Sequence, residues 1–154
     1  MPREPIPTWY FALVVVRHED RFLLVQERKH GQLWYLPAGR VEPGETLAAG
    51  AIRETLEESG VPVRLTGMLR IEHTPRVGSA PGVSGGARVR IIFVAEPAGD
   101  PTPKSAPDDE SLGAEWVRLD QLDDYALRGE EVRELFEYVA EGGVVYPLEL
   151  LQRE

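Results

Sequence analysis

Residues 39–61 read GRVEPGETLAAGAIRETLEESGV, and this stretch decides what the rest of the chain must build. Gly39 to Glu45 reads as a loop turning at Pro43-Gly44. A helix begins near Thr46, a residue suited to the N-cap, and ends at Gly60. Pro62 blocks its continuation. At 100° per residue, Ala48, Ile52 and Leu56, with Ala49 and Thr55 at the edges, share one side, which is expected to pack on a core. The opposite side holds Glu54, Glu57 and Glu58. Three carboxylates at i, i+3 and i+4 repel one another by about 0.2–0.5 kcal/mol per pair. A hard divalent cation relieves that repulsion, and Mg²⁺ is shared in this way between one or two carboxylates and substrate phosphates.

A solvated acidic face is the plain alternative. The spacing of the whole stretch outweighs it. Glycine, five residues, Glu, seven residues, then Arg-Glu-apolar-any-Glu-Glu-any-Gly-apolar is satisfied by Gly39, Glu45, Arg53, Glu54, Glu57, Glu58, Gly60 and Val61, with Thr55 departing at the apolar position. At a usage of about 7% per residue type, the seven identities arise by chance on the order of 10⁻⁸ per window. The stretch resembles the Nudix box, and through it the chain resembles the Nudix hydrolases.

The 154 residues suit one domain, 1–154, with 42% hydrophobic and 28% charged residues. The net charge of −9 and the lack of a basic stripe argue against a nucleic-acid polymer as partner. A nucleotide is compatible with it, because a bound cation dominates the field of its own site. Without cysteine there is neither a disulfide framework nor a thiolate zinc site. The apolar run from Trp9 to Val16 is too short to span a bilayer. The expectation is a cytoplasmic protein without a membrane partner, monomeric or homodimeric.

In chain order, Met1 to Pro7 reads as an irregular arm, Trp9 to Arg17 as a strand buried on both faces, and Arg21 to Glu27 as its hairpin partner. Arg28, Lys29 and His30 form a basic loop from which a cation such as Arg28 reaches a phosphate. Leu33 to Pro37 is a short strand, Val63 to Thr74 a longer one with His73 near its end, and Arg88 to Glu96 another, with Arg88 and Arg90 on one face. Between the last two, Val77 to Ala87 is a candidate lid. Pro97 to Asp108 is a second loop, leading through Asp109 and Glu110 to a strand over Ser111 to Leu119 and a short turn or helix at Asp120 to Asp124. Glu130 to Glu141 is an amphipathic helix, and the tail VVYPLELLQ is apolar enough to pack back on the body. The class is α/β.

The resemblance extends these readings. It implies an α/β/α sandwich with a mixed β-sheet and a loop-helix-loop. LWYLPAGRVEPGETL, VRIIFVAEP, ESLGAEW and PLEL are similar to animal Nudix phosphatases of 8-oxo-guanine nucleoside diphosphates, and LWYLPAG also to bacterial ones acting on thiamine pyrophosphate and nucleotides. It implies that Glu54, Glu57 and Glu58 bind metal with the Gly39 carbonyl, Mg²⁺ first and Mn²⁺ as substitute. Arg53 then orients the glutamates, Glu45 supports the helix, and Glu110 joins the cluster or positions the water. The implied reaction is attack of water on phosphorus of a nucleoside diphosphate derivative, with Glu57 or Glu110 accepting the proton. An oxidised guanine nucleotide, di- or triphosphate, leads the substrates. ADP-ribose, a dinucleoside polyphosphate and thiamine pyrophosphate are the alternatives, and a silent nucleotide-binding module is the reading outside enzymology. Phe11, Trp34, Tyr35 and His73 are candidates to meet the base.

Overall fold

The computed structural model describes residues 3–78 and 85–151. The candidate lid therefore falls mostly outside the described residues. The strands are β1 (Thr8–His18), β2 (Arg21–Gln26), β3 (Trp34–Tyr35), β4 (Ala38–Arg40), β5 (Val63–Arg76), β6 (Gly86–Pro97) and β7 (Gly113–Arg118), and the helices are α1 (Leu47–Ser59) and α2 (Glu131–Ala140). Among the described residues the strands form one mixed sheet, in the order β3-β2-β1-β6-β5, with β4 pairing β1 and β7 pairing β2.

β1 is the centre of the sheet because it is apolar on both faces. Ala12, Val14 and Val16 point to one side and Leu13 and Val15 to the other, all of them buried. β6 runs parallel beside it, from Thr8↔Ala87 to Val16↔Ala95, and alternates in step. Ile91, Phe93 and Ala95 join the α1 side with Ala51, while Ile92 and Val94 join the α2 side with Val132, Leu135, Phe136 and Val139. The result is a helix on each face of a sheet, with the apolar stripe expected of α2 wholly buried. The tail packs back as its composition implies, Tyr146 bridging to Met68 on β5.

Two expectations fail. Ala38–Arg40 is not loop but strand β4, antiparallel to β1 through Phe11↔Arg40, Ala12↔Gly39 and Leu13↔Ala38. Three residues carry no period of their own, and the pairing comes from a partner far away in sequence. The packed side of α1 is also turned from the one expected: Ala48 packs against the core and Thr55 is buried, but Ile52 and Leu56 are exposed. Gly50, Ala51, Thr55 and Ser59 are buried instead. The helix is seated by a row of small residues, whose hydroxyls satisfy themselves inside the helix: Thr55 Oγ1 donates to the Ala51 carbonyl at 2.8 Å and Ser59 Oγ to the Thr55 carbonyl at 2.5 Å. Small side chains let the helix axis approach the sheet, so the next row round the helix, Glu54 and Glu58, meets β4 rather than open water.

On the other face, Phe136 stacks on Phe22 with ring centroids 4.6 Å apart. Phe136→Ala is expected to lower the unfolding free energy by about 3–5 kcal/mol, measured by urea denaturation.

Candidate active site

Helix α1 is fixed at both ends. Thr46 Oγ1 accepts from the Ala49 amide at 3.0 Å, and Gly60 closes the helix in the left-handed region at φ 77°. The carbonyls left open by the last turn are met by the loop after β6. Lys104 Nζ donates to the Glu57 carbonyl at 2.7 Å, Ser111 Oγ to the Glu58 carbonyl at 2.6 Å, and the Lys104 amide to the Ser59 carbonyl at 2.8 Å. A lysine also suits the negative end of the helix dipole. Lys104 in turn grips Asp108, whose Oδ1 accepts from the amides of Glu110 and Ser111 at 2.8 and 3.1 Å. Those bonds hold the Asp108 carboxyl down at about 2, the Lys104 ammonium being the largest cause.

Glu58 reaches β4 and accepts from the Ala38 amide at 2.8 Å. Glu54 lies directly against Gly39, where a Cβ would fall inside its carboxylate. A side chain there would push the Glu54 carboxylate aside. Arg53 then ties the helix to the preceding loop. Its Nε and one Nη donate to Glu45 at 2.7 and 2.9 Å, the other Nη to Glu54 at 2.8 Å and Glu57 at 3.0 Å, and the Arg40 carbonyl takes the remaining bond at 3.1 Å. Arg53 holds the Glu45 carboxyl down at about 2. Burial pushes Glu58 up to about 8, and the carboxylates of Glu54, Glu27 and Glu110 push the same way. Glu54 is also raised, by burial first and then by Glu57 and Glu110.

This donor set fits a hard divalent cation: crowded, partly buried carboxylates and a bare Cα that keeps the backbone close. Among the described residues no three acidic or imidazole groups already stand at ion-holding positions. Arg53 occupies one oxygen each of Glu54 and Glu57.

Beside β4 a cleft of about 360 Å³ opens, lined by residues that include Phe11, Glu27, Tyr35, Gly39, Arg90 and Arg128. Arg128 bonds both oxygens of Glu27 at 3.0 and 3.2 Å and lies 4.9 Å over the Tyr35 ring. Tyr35 donates its hydroxyl to Glu131, which also accepts from Arg90 at 2.7 Å. Of the candidates for substrate contact, Phe11 and Tyr35 line this cleft. Trp34 instead packs edge-on against Tyr125, centroids 5.1 Å apart. His73 pairs with Val89 and is exposed on the opposite face of the sheet. Arg28 donates to the Asp108 carbonyl at 2.8 Å, outside the cleft, and His30 of the same loop lines it. The sequence reading missed Glu27, Arg128 and Lys104. Glu27 stands at the end of β2, and the length of that strand was the only signal available for it.

The NUDIX domain family matches residues 8–139. The chain belongs to the Nudix family. Against an 8-oxo-dGDP phosphatase of Homo sapiens, NUDT18, it is 36% identical over 137 residues, 86% of this chain and 39% of that protein. A putative 8-oxo-dGTP diphosphatase of Bacillus subtilis is 40% identical over 65 residues, 42% of this chain and 44% of that one. The chain thus spans about two fifths of the length of these curated Nudix relatives. A solved NUDIX hydrolase from Nitrosomonas europaea superposes with a TM-score of 0.74 at 28% identity, covering 96% of this chain and 97% of that one.

Gly39→Ala is expected to displace Glu54 while keeping the fold, and to weaken Mn²⁺ binding about 10–100-fold in calorimetric titration. Asp108, depressed below its ordinary value, contributes stability above about pH 4 that disappears as pH falls through about 2. Asp108→Asn should therefore unfold at a lower temperature than the wild type at pH 6, and the difference should vanish toward pH 2.

Proposed function

We propose that the chain is a divalent-metal-dependent phosphohydrolase, acting on a nucleoside diphosphate derivative by attack of water on phosphorus. The observation that carries this reading is the glutamate cluster, held by Arg53 and pressed against Gly39 at the mouth of a cleft walled by Phe11 and Tyr35. Glu54, Glu57 and Glu58 would hold Mg²⁺ or Mn²⁺, with the Gly39 carbonyl beside them. The ion supplies positive charge to the phosphoryl oxygens as negative charge grows on them.

The chain's own groups do the remainder. Arg53 is a positioning residue, fixing the rotamers of Glu54 and Glu57. Glu57 or Glu110 accepts the proton of the attacking water. Glu57 is bonded on one oxygen only by Arg53, and Glu110 lies near enough to raise Glu54 and Glu58. Phe11 and Tyr35 offer apolar faces to a base or other planar group. The relatives named for 8-oxo-dGDP and 8-oxo-dGTP favour an oxidised guanine nucleotide as substrate, with phosphate and a nucleoside monophosphate as the products from a diphosphate.

The test is a turnover panel with Mg²⁺ containing 8-oxo-dGDP, 8-oxo-dGTP, GDP, ADP-ribose and thiamine pyrophosphate, scoring phosphate and pyrophosphate separately. Glu57→Gln is expected to lose about 10²–10⁴ in kcat with its fold intact by circular dichroism. Turnover of ADP-ribose alone would overturn the oxidised-guanine assignment. Absence of turnover throughout, or full activity in Glu57→Gln, would overturn the hydrolase reading itself.

A further inference from the structure

A second cavity, about 590 Å³, adjoins the cleft at Phe11 and Arg88, which line both. Among the described residues its walls are Trp9 and Phe11, its charged groups are Arg40, Arg76 and Arg88, and no carboxylate lines it. The register explains the convergence. Trp9 pairs with Arg88, Phe11 with Arg40, and Arg88 with Thr74, two positions before Arg76, so all of these side chains share one face of the sheet.

Arg53, Arg64, Arg70, Arg90, Arg118, Arg128 and Arg133 each form an ion pair with a carboxylate, while Arg17 and Arg28 donate to backbone carbonyls. Among the described residues Arg40, Arg76 and Arg88 form no ion pair. Residues 79–84, which continue from this edge of the sheet in sequence, read SAPGVS and contain no acidic group. What sets Arg40, Arg76 and Arg88 apart is that three such cations meet in one cavity of a chain whose net charge is −9. Two neighbours on one strand face differ in charge pairing: the buried Nε of both Arg88 and Arg90 has no hydrogen-bond partner, but Arg90 is ion-paired with Glu72 and Glu131, whereas Arg88 meets no carboxylate among the described residues. A buried donor left unpaired is costly unless a ligand meets it. Arg40 is already oriented, its guanidinium lying 4.6 Å over the Trp9 ring. Its own carbonyl accepts from Arg53, so one residue of β4 joins this cavity to the glutamate cluster.

We propose that this cavity is an anion subsite that takes a further phosphate of the substrate, beyond the anhydride presented to the glutamates. Within the nucleotides proposed above, the substrate class narrows to those with a phosphate beyond the anhydride, which a triphosphate or a 3′-phosphorylated nucleotide has and a plain nucleoside diphosphate lacks. This rests on the phosphohydrolase reading above for the direction of the substrate, while the subsite itself is defined without the metal. Guanidiniums in a fixed fork suit a phosphate dianion, and the Trp9 and Phe11 rings flank the group that bears it.

The experiment is calorimetric titration of the full chain with inorganic pyrophosphate in EDTA, using wild type, Arg88→Gln, Arg76→Gln and Glu57→Gln. Arg76 is exposed, so its variant keeps the test valid if Arg88→Gln fails to fold. Wild type and Glu57→Gln are expected to bind, and each arginine variant to bind about tenfold more weakly, the worth of one charge-assisted bond. In the same buffer the 3′,5′-bisphosphates of adenosine and guanosine should exceed the 5′-monophosphates of the same base by about tenfold, a preference lost in Arg76→Gln. No pyrophosphate binding by the wild type, unchanged binding by Arg76→Gln, or no preference for the bisphosphates would overturn the proposal. Because no catalysis is involved, these outcomes are separable from failure of the turnover panel.

Discussion

Arg53 has five N–H groups and uses all of them. Two bind Glu45 in a fork, two divide between Glu54 and Glu57, and the last reaches the Arg40 carbonyl on β4. One side chain therefore fixes the incoming loop, the glutamate face of α1 and strand β4 relative to one another. Lysine, with three rotatable donors at a single point, has no arrangement that does the same. The bonds also set the charge pattern: Glu45 is kept ionised by its full share of the guanidinium, whereas Glu54 and Glu58, facing Gly39 and Ala38 across a drier gap, are pushed the other way. Burial thus separates Glu54 and Glu58 from Glu45, which keeps two of Arg53's donors to itself.

The opposite end of the helix is controlled by different means. Lys104, Ser111 and the Lys104 amide saturate the carbonyls of Glu57, Glu58 and Ser59, and Asp108 anchors Lys104. The loop that carries Glu110 toward the cluster is the same loop that caps the helix. Motion of Glu110 is consequently coupled to the last turn of α1, where two of the three clustered glutamates lie.

What the sequence discloses follows the range of the interactions concerned. The N-cap at Thr46, the stop at Gly60 and the buried stripe of α2 depend on neighbours within a turn or two, and they were legible. So was the alternation of β1 and β6, since each residue's face follows from its parity. The seat of α1 was misjudged because size, not hydropathy, chose it: Gly50, Ala51, Thr55 and Ser59 pack where Ile52 and Leu56 were expected. Strand β4, the pairing of Glu27 with Arg128 and the capping by Lys104 all join positions distant in sequence, and no local pattern announces them. Trp34 and Tyr35, adjacent on one strand, point to opposite sides, and which of them meets the cleft depends on where Tyr125 and Arg128 arrive, much later in the chain.

The central position of β1 has a consequence for synthesis. The strand most apolar on both faces is made before the elements that cover it: its parallel neighbour begins only at Gly86, and the helix that covers its second face ends at Ala140. Until then Leu13 to Val16 can shelter only against β2, β4 and α1. Contacts that span so much of the chain close slowly, and an uncovered β-branched segment is the kind that pairs with other chains while it waits. The nascent protein therefore stays open to aggregation until β6 and then α2 have emerged, and a chaperone that shields extended apolar segments would act in that interval.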